Sequence, residues 1–130
     1  MTIYSLVRIS DTQEEYQCGN ANVKFLELLP SDSFLKKLFA LLYAFYRDQK
    51  FLQYELVHGL WGTPTGFAAV IISKLYNIPS VVSFLGGETV SLLEIQYGNL
   101  RSPFLRLLMF WLTNNADSVI LLTNYQLQQI

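Results

Sequence analysis

Asn77-Ile78-Pro79-Ser80-Val81-Val82-Ser83-Phe84-Leu85-Gly86-Gly87-Glu88 is the stretch on which the fold of this chain turns. Asn77 tolerates the left-handed conformation that ends many helices, and Pro79 cannot continue one, so the segment opens just past a helix. Residues 81–84 are an apolar run too short for a helix, as expected of a strand covered on both faces. Gly86-Gly87 ends it in a sharp turn that exposes amide hydrogens, and Glu88 sets a carboxylate at the same edge. Helix, strand and glycine turn together form the unit from which parallel α/β sheets are built.

The unit recurs on either side. Upstream, residues 54–58 read as a short strand and residues 59–66 as a turn that puts Pro64 at the first position of the next helix. Residues 67–76 are that helix, with Ala68 and Ala69 allowing close approach. Downstream, Ser102-Pro103 opens a helix carrying Leu105, Leu108, Met109 and Leu112. Residues 118–122 form another apolar strand, and Thr123 caps a last helix with Leu127 and Ile130 inward.

The N-terminal part is less regular. Residues 2–9 read as a β-rich run, residues 10–20 as a polar loop and residues 23–29 as a second strand. Residues 34–46 form a helix preceded by Pro30-Ser31-Asp32-Ser33, a breaker with candidate caps. Alternation of helices with short strands from Val23 onward predicts one α/β domain over residues 1–130, an open, doubly wound, Rossmann-like parallel sheet.

Composition narrows the function. Hydrophobic residues make up 52% of the 130 and charged ones 15%, richer in apolar side chains than a free-standing domain, so a further domain, a partner or a membrane surface is expected to cover part of it. A formal net charge of -1 without clustered Lys and Arg argues against nucleic acid. Cys18 is the one cysteine, so neither an intramolecular disulfide nor a cysteine-based zinc site can form, and a cytoplasmic setting fits. No metal or cofactor is expected. The apolar stretches 34–46 and 103–113 fall short of the roughly 20 residues that span a bilayer, and the N-terminus lacks a secretory signal. The aromatic helix 34–46, with Lys36 and Lys37, either packs into the core or rests on a membrane surface.

Ligands of open α/β sheets gather where strands end, which singles out His58-Gly59-Leu60-Trp61-Gly62, Leu85-Gly86-Gly87-Glu88 and Thr123-Asn124. Gly86, Gly87 and Glu88 are either a polyol site, with the carboxylate accepting sugar hydroxyls, or an ordinary turn beside a solvated acid. His58, the only histidine, is either a hydrogen-bonding or proton-transferring group or an imidazole that caps its strand. Trp61 is a sugar-stacking face or a core-edge aromatic. Arg101 and Arg106 either face a phosphate or an anionic acceptor or mark the solvent side of a helix.

In this order the residues resemble the N-terminal domain of the GT-B glycosyltransferases, in particular family 4 of the retaining enzymes. Residues 54–62 look like the family's strand ending in a His-x-x-Trp-Gly turn, and residues 77–84 like its Gly-Ile-Pro-x-Val strand. Leu85-Gly86-Gly87-Glu88 falls where the family has His-Gly-Gly-Asp, and residues 115–123 are similar to its Ala-Asp-x-Val-Ile strand ending in Ser or Thr. The resemblance covers residues 54–130. It implies transfer of a hexose or related sugar from a nucleotide-sugar to a sugar or lipid-linked acceptor. Gly86, Gly87 and Glu88 then line the interdomain cleft, His58, Trp61 and Thr123 border it, and a C-terminal Rossmann domain holds the nucleotide. Measured against the family, the opening strand and the C-terminal domain are missing, so the chain is expected to be a fragment that is inactive alone. Leu85 stands where the family carries a histidine, and no catalytic residue is assigned. The competing expectation is a non-catalytic α/β interaction module or an inactive remnant.

Overall fold

The structure, a computed structural model, describes residues 1–6, 15–92 and 94–129. The chain folds as two compact units, Met1–Phe51 and Leu52–Ile130, each with its own three-stranded sheet.

In the first unit β1 (Thr2–Ser5), β2 (Glu15–Cys18) and β3 (Ala21–Phe25) pair in the order β1-β3-β2, and α1 (Phe34–Leu52) follows. β1 runs parallel to β3, and β2 antiparallel to it. The loop expected over residues 10–20 is therefore corrected at Glu15–Cys18, which is a strand; residues 7–14 lie outside the described residues. Gly19-Asn20 joins β2 to β3, and Gly19 at φ 58 has the positive φ that two-residue hairpin turns demand.

Helix α1 starts where expected. The Ser33 hydroxyl accepts the Lys36 N–H at 3.3 Å, and Asp32 pairs with Lys36 at 2.7 Å. It runs on to Leu52 rather than ending near Tyr46, because its buried stripe Leu38, Leu41, Ala44, Phe45 is continued by Asp48. That carboxylate accepts from the Tyr4 hydroxyl at 2.8 Å and the Arg47 Nε at 3.2 Å, and pairs with the Lys24 ammonium at 2.9 Å, so β1, β3 and α1 meet on one charge. Burial alone raises its pKa, but the hydrogen bonds from Lys24, Tyr4 and Arg47 outweigh it and hold the carboxyl below its ordinary value. The opposite face of α1 exposes Leu35, Phe39, Tyr43 and Tyr46.

In the second unit β4 (Val57–Leu60), β5 (Ser80–Phe84) and β6 (Ser118–Leu121) lie in that order and all run parallel. The crossovers are α2 (Phe67–Tyr76) and α3 (Pro103–Asn115), and α4 (Asn124–Leu127) follows β6. This is the expected α/β class, with a Rossmann-like parallel sheet. Val82 and Phe84 of β5 form one buried cluster with Val70 of α2 and with Met109 and Leu112 of α3, so both crossover helices cover the same sheet face. Alternation along the strands turns His58, Leu60, Val81, Ser83 and Ile120 to the other face.

The local signals hold: Asn77 ends α2 in the left-handed region at φ 54, and Ser102 caps α3 with Pro103 in its first turn. One of two boundaries differs. Pro64 opens the helical turn Gly62–Gly66, in which only Thr63 is non-helical and which runs directly into α2, whereas β4 occupies Val57–Leu60 rather than residues 54–58. Gly59 is buried inside the strand, where a Cβ would stand 2.5 Å from the Cα of Gly66. The glycine lets β4 run against the approach to α2, so it extends the strand instead of ending it.

Candidate functional site

Three parallel strands in sequence order bring their exits side by side, and two side chains tie those exits together. The first is Glu88, only 7% exposed. Its Oε1 accepts the Gly62 N–H at 3.2 Å and its Oε2 the Gly86 N–H at 3.0 Å, joining the β4 exit to the β5 exit. The second is Gln126. Its oxygen accepts from the N–H groups of Leu122 at 2.8 Å and Thr123 at 3.2 Å, while its nitrogen donates to the Gly86 carbonyl at 3.3 Å, joining the β5 exit to the β6 exit. Thr123 caps α4 in a reciprocal box with Gln126.

Trp61 has φ 65 and ψ 151, a region that only glycine occupies comfortably. Its neighbours over-determine it. Its N–H donates to Ser83 O at 2.9 Å, its carbonyl accepts from the Gly66 N–H at 2.9 Å and the Thr65 hydroxyl at 3.1 Å, and the next N–H is the one held by Glu88. The single Thr65 hydroxyl proton is shared between the Trp61 carbonyl and that of Leu60. The indole so presented is 53% exposed.

It forms one wall of a cleft of about 480 Å³, whose other lining residues are Gly87, Glu88, Gln96, Tyr97, Gly98, Asn99 and Arg101. The segment supplying the far wall is anchored: Leu92 and Tyr97 exchange backbone hydrogen bonds at 2.9 and 3.0 Å, and the Leu100 N–H donates to Val90 O at 3.2 Å. Tyr97 lies over Gly87, where a Cβ would come within 2.6 Å of the phenol oxygen. Gln96 at φ 53 and Gly98 at φ 102 flank it in the left-handed region. Arg101 donates from Nη1 to the Gln96 carbonyl, and Arg106 donates to Leu100 O from Nε at 3.2 Å and from Nη2 at 3.0 Å.

Of the residues singled out from sequence, the cleft brings together Trp61, Gly87, Glu88 and Arg101. Gly86 backs it through its two peptide hydrogen bonds, and Thr123 connects to it through Gln126. His58 is elsewhere: it lies within β4 rather than at its end, and its Nε2 is 2.8 Å from the Ser83 hydroxyl on the sheet face opposite the helices. Glu88 does not offer an unengaged carboxylate, since each oxygen already accepts an amide hydrogen. Only the remaining lone pairs are left for a ligand. Gln96, Tyr97, Gly98 and Asn99 were not anticipated; they sit in an irregular stretch without periodicity. Next to Glu88, the buried Thr89 hydroxyl is without a hydrogen-bond partner among the described residues. No group of three His, Cys, Asp or Glu able to hold a metal comes together among the described residues, and none of their helices is long and apolar enough to cross a membrane.

Fold and rim thus define an α/β protein with a Rossmann-like parallel sheet and a polar cleft at its carboxyl edge. Among solved structures, sucrose-phosphate synthase from Thermosynechococcus elongatus shares the fold with a TM-score of 0.70 at 12% identity, over 91% of this chain and 31% of that one. No protein-family model matches the sequence, and no curated protein matches it.

Proposed function

We propose that this chain is the acceptor-side part of a sugar-transferring enzyme, a retaining glycosyltransferase of the GT-B kind. The observation that carries the reading is the cleft at the carboxyl rim, where Trp61, Gly87 and Glu88 converge from two strand exits. Ligands of open parallel sheets bind at this edge, and an indole beside hydrogen-bonding groups suits the two faces of a sugar ring. The fold shared with sucrose-phosphate synthase over 91% of the chain supports the same reading. The chain spans 31% of that enzyme's length, and in the proposed enzyme a C-terminal Rossmann domain supplies the nucleotide-sugar. By itself the chain binds the acceptor and transfers nothing.

The test is titration of the purified chain with hexoses and nucleotide-sugars, followed by tryptophan fluorescence and amide chemical shifts. Hexoses are expected to move the signals of Trp61 and Gly87, and Trp61→Ala to abolish the response. Sugar signals that map elsewhere, or none at millimolar concentration, would overturn the reading.

The acceptor can be lipid-linked and the enzyme a peripheral one on the cytoplasmic face of a membrane. The exposed Leu35, Phe39, Tyr43 and Tyr46 of α1, with Lys36 and Lys50 among them, have the aromatic and basic character of a helix that lies in a lipid headgroup layer. Vesicle co-sedimentation reduced by Phe39→Ser tests this. A second reading, a non-catalytic interaction module, draws on the exposed Phe104, Leu107, Phe110 and Trp111 of α3. Assembly with rising concentration and no response to any sugar, measured by sedimentation velocity, would favour it.

A further inference from the structure

We infer that the outer face of α3 pairs with the same face of a second copy of this chain, about a two-fold axis at Leu107. This goes beyond the acceptor reading and does not depend on it, since no residue of that face lines the cleft.

Helix α3 is apolar on more sides than its place in the fold requires. Met109 and Leu112 are its buried contribution to the core, yet Phe104, Leu107 and Phe110 are 64, 65 and 64% exposed. A helix that covers a sheet with one side carries charge on the other, whereas one that is apolar all round belongs in an interior. Arg106, the only charged residue of α3, is engaged within its own unit, its guanidinium donating to Leu100 O at 3.2 and 3.0 Å. The polar side chains of the last turn are folded back too: Thr113 donates to Met109 O at 3.0 Å and Asn114 to Phe110 O at 2.7 Å. Trp111 extends the patch, its ring tilted against Phe67 of α2 at 4.9 Å.

The pattern of the patch selects its partner. Phe104, Leu107 and Phe110 follow one another at intervals of three, a ridge that reads the same from either end. A two-fold contact sets a surface against itself, residue i meeting residue j and j meeting i. With Leu107 on the axis and the helices antiparallel, Leu107 meets the partner's Leu107, and Phe104 meets the partner's Phe110 on both sides. A charge within the ridge would face its own copy there, and the ridge holds none. An anionic lipid surface suits α3 less well than α1, because α3 has no lysine to meet the headgroups. With Trp111, side chains of this size and exposure bury roughly 500 Å² per copy and roughly 1,000 Å² in all, the lower edge of specific interfaces. The dimer is accordingly expected to form at micromolar concentration.

The experiment is sedimentation velocity of the full chain between about 1 and 100 μM, the span in which an interface of this size associates, followed by cysteine cross-linking. The parent is expected to pass from monomer to dimer and to stop there. Leu107→Asp, which sets two carboxylates face to face, should weaken the dimer about a hundredfold and, at an exposed position, melt like the parent. In a Cys18→Ser background Leu107→Cys should oxidise to a covalent dimer; Phe104→Cys or Phe110→Cys alone should not, and a mixture of those two should. Trp61→Ala should leave the dimer intact, so loss of sugar binding and loss of assembly are read separately. A chain that stays monomeric overturns the inference, and so does association that Leu107→Asp leaves unchanged or that grows past the dimer. Cross-linking of Phe104→Cys with itself as readily as of Leu107→Cys overturns it too. Binding of a monomeric chain to anionic vesicles that Leu107→Asp abolishes assigns the face to lipid and overturns it as well.

Discussion

At the amino end of the β4-β5-β6 sheet, Asp117 accepts the Ser80 N–H at 2.9 Å and the hydroxyls of Ser80 and Ser73 at 2.8 and 3.1 Å. At the carboxyl end, Glu88 accepts two N–H groups from different strand exits. Both carboxylates bind backbone, yet what surrounds them differs. Around Asp117 there is a recess of about 260 Å³ lined by the end of α2, and the Asp117 N–H returns a hydrogen bond to Ser80 Oγ at 3.2 Å, so the contact is closed upon itself. Around Glu88 the carboxylate holds apart two turns whose walls carry a strained tryptophan and an arginine facing a larger cleft. One end of the sheet is fastened; the other is fastened so as to leave room.

The sharpest way to break this comparison is Glu88→Ala, which leaves the Gly62 and Gly86 amides without acceptors. A loss of about 2–4 kcal/mol in urea unfolding is expected, with sugar binding lost as well. An unchanged midpoint would mean that water replaces the carboxylate and that the cleft needs no such brace. Asp117→Ala should cost less, because that carboxylate is exposed and water can enter the space it vacates beside the buried Ser80 and Ser73.

The Asp117 carboxyl is held below its ordinary value of 3.8 by the N–H and hydroxyl of Ser80 and then the hydroxyl of Ser73. A depressed folded-state pKa gives stability that is present above 3.8 and lost as pH falls through the folded value. Asp117→Asn should therefore flatten the acid limb of the stability profile below that pH without moving the neutral plateau's shape. Asp32 and Asp48 act in the same direction, so the comparison is variant against parent.

Trp61→Gly should stabilise the chain by about 1 kcal/mol through relief of strain while removing ligand binding, a split that separates the cleft's role from the fold's. Thr89→Val, which replaces a buried hydroxyl without a partner among the described residues, should change stability by less than about 1 kcal/mol and in the stabilising direction. A clear loss there would show that the hydroxyl is engaged.

What could be read from the residues was what local chemistry decides. Asn77 before Pro79, Ser102 before Pro103, and Thr123 at the start of α4 act within a few residues of themselves, and the structure has each in its expected place. The missed β2–β3 hairpin had a local signal in Gly19-Asn20, a two-residue pair that suits such turns, hidden by the polar residues around it. Gly59 misled because its meaning is tertiary: nothing nearby in sequence says that Gly66 will press against it. His58 was displaced from the rim by the same shift of β4. Of the cleft, Trp61, Gly87 and Glu88 were legible as strand-exit residues. The wall from Gln96 to Asn99 was not, because Tyr97 finds its place only when Gly87 offers it a surface.

The amide of Gln126 has a mechanical consequence. It grips the peptides of Leu122 and Thr123 on one side and that of Gly86 on the other, and Gly86 is in turn latched through Glu88 to Gly62. A pull on α4 is thus not absorbed in its own turn; it either snaps this series of links or travels along it to the backbone beneath the indole.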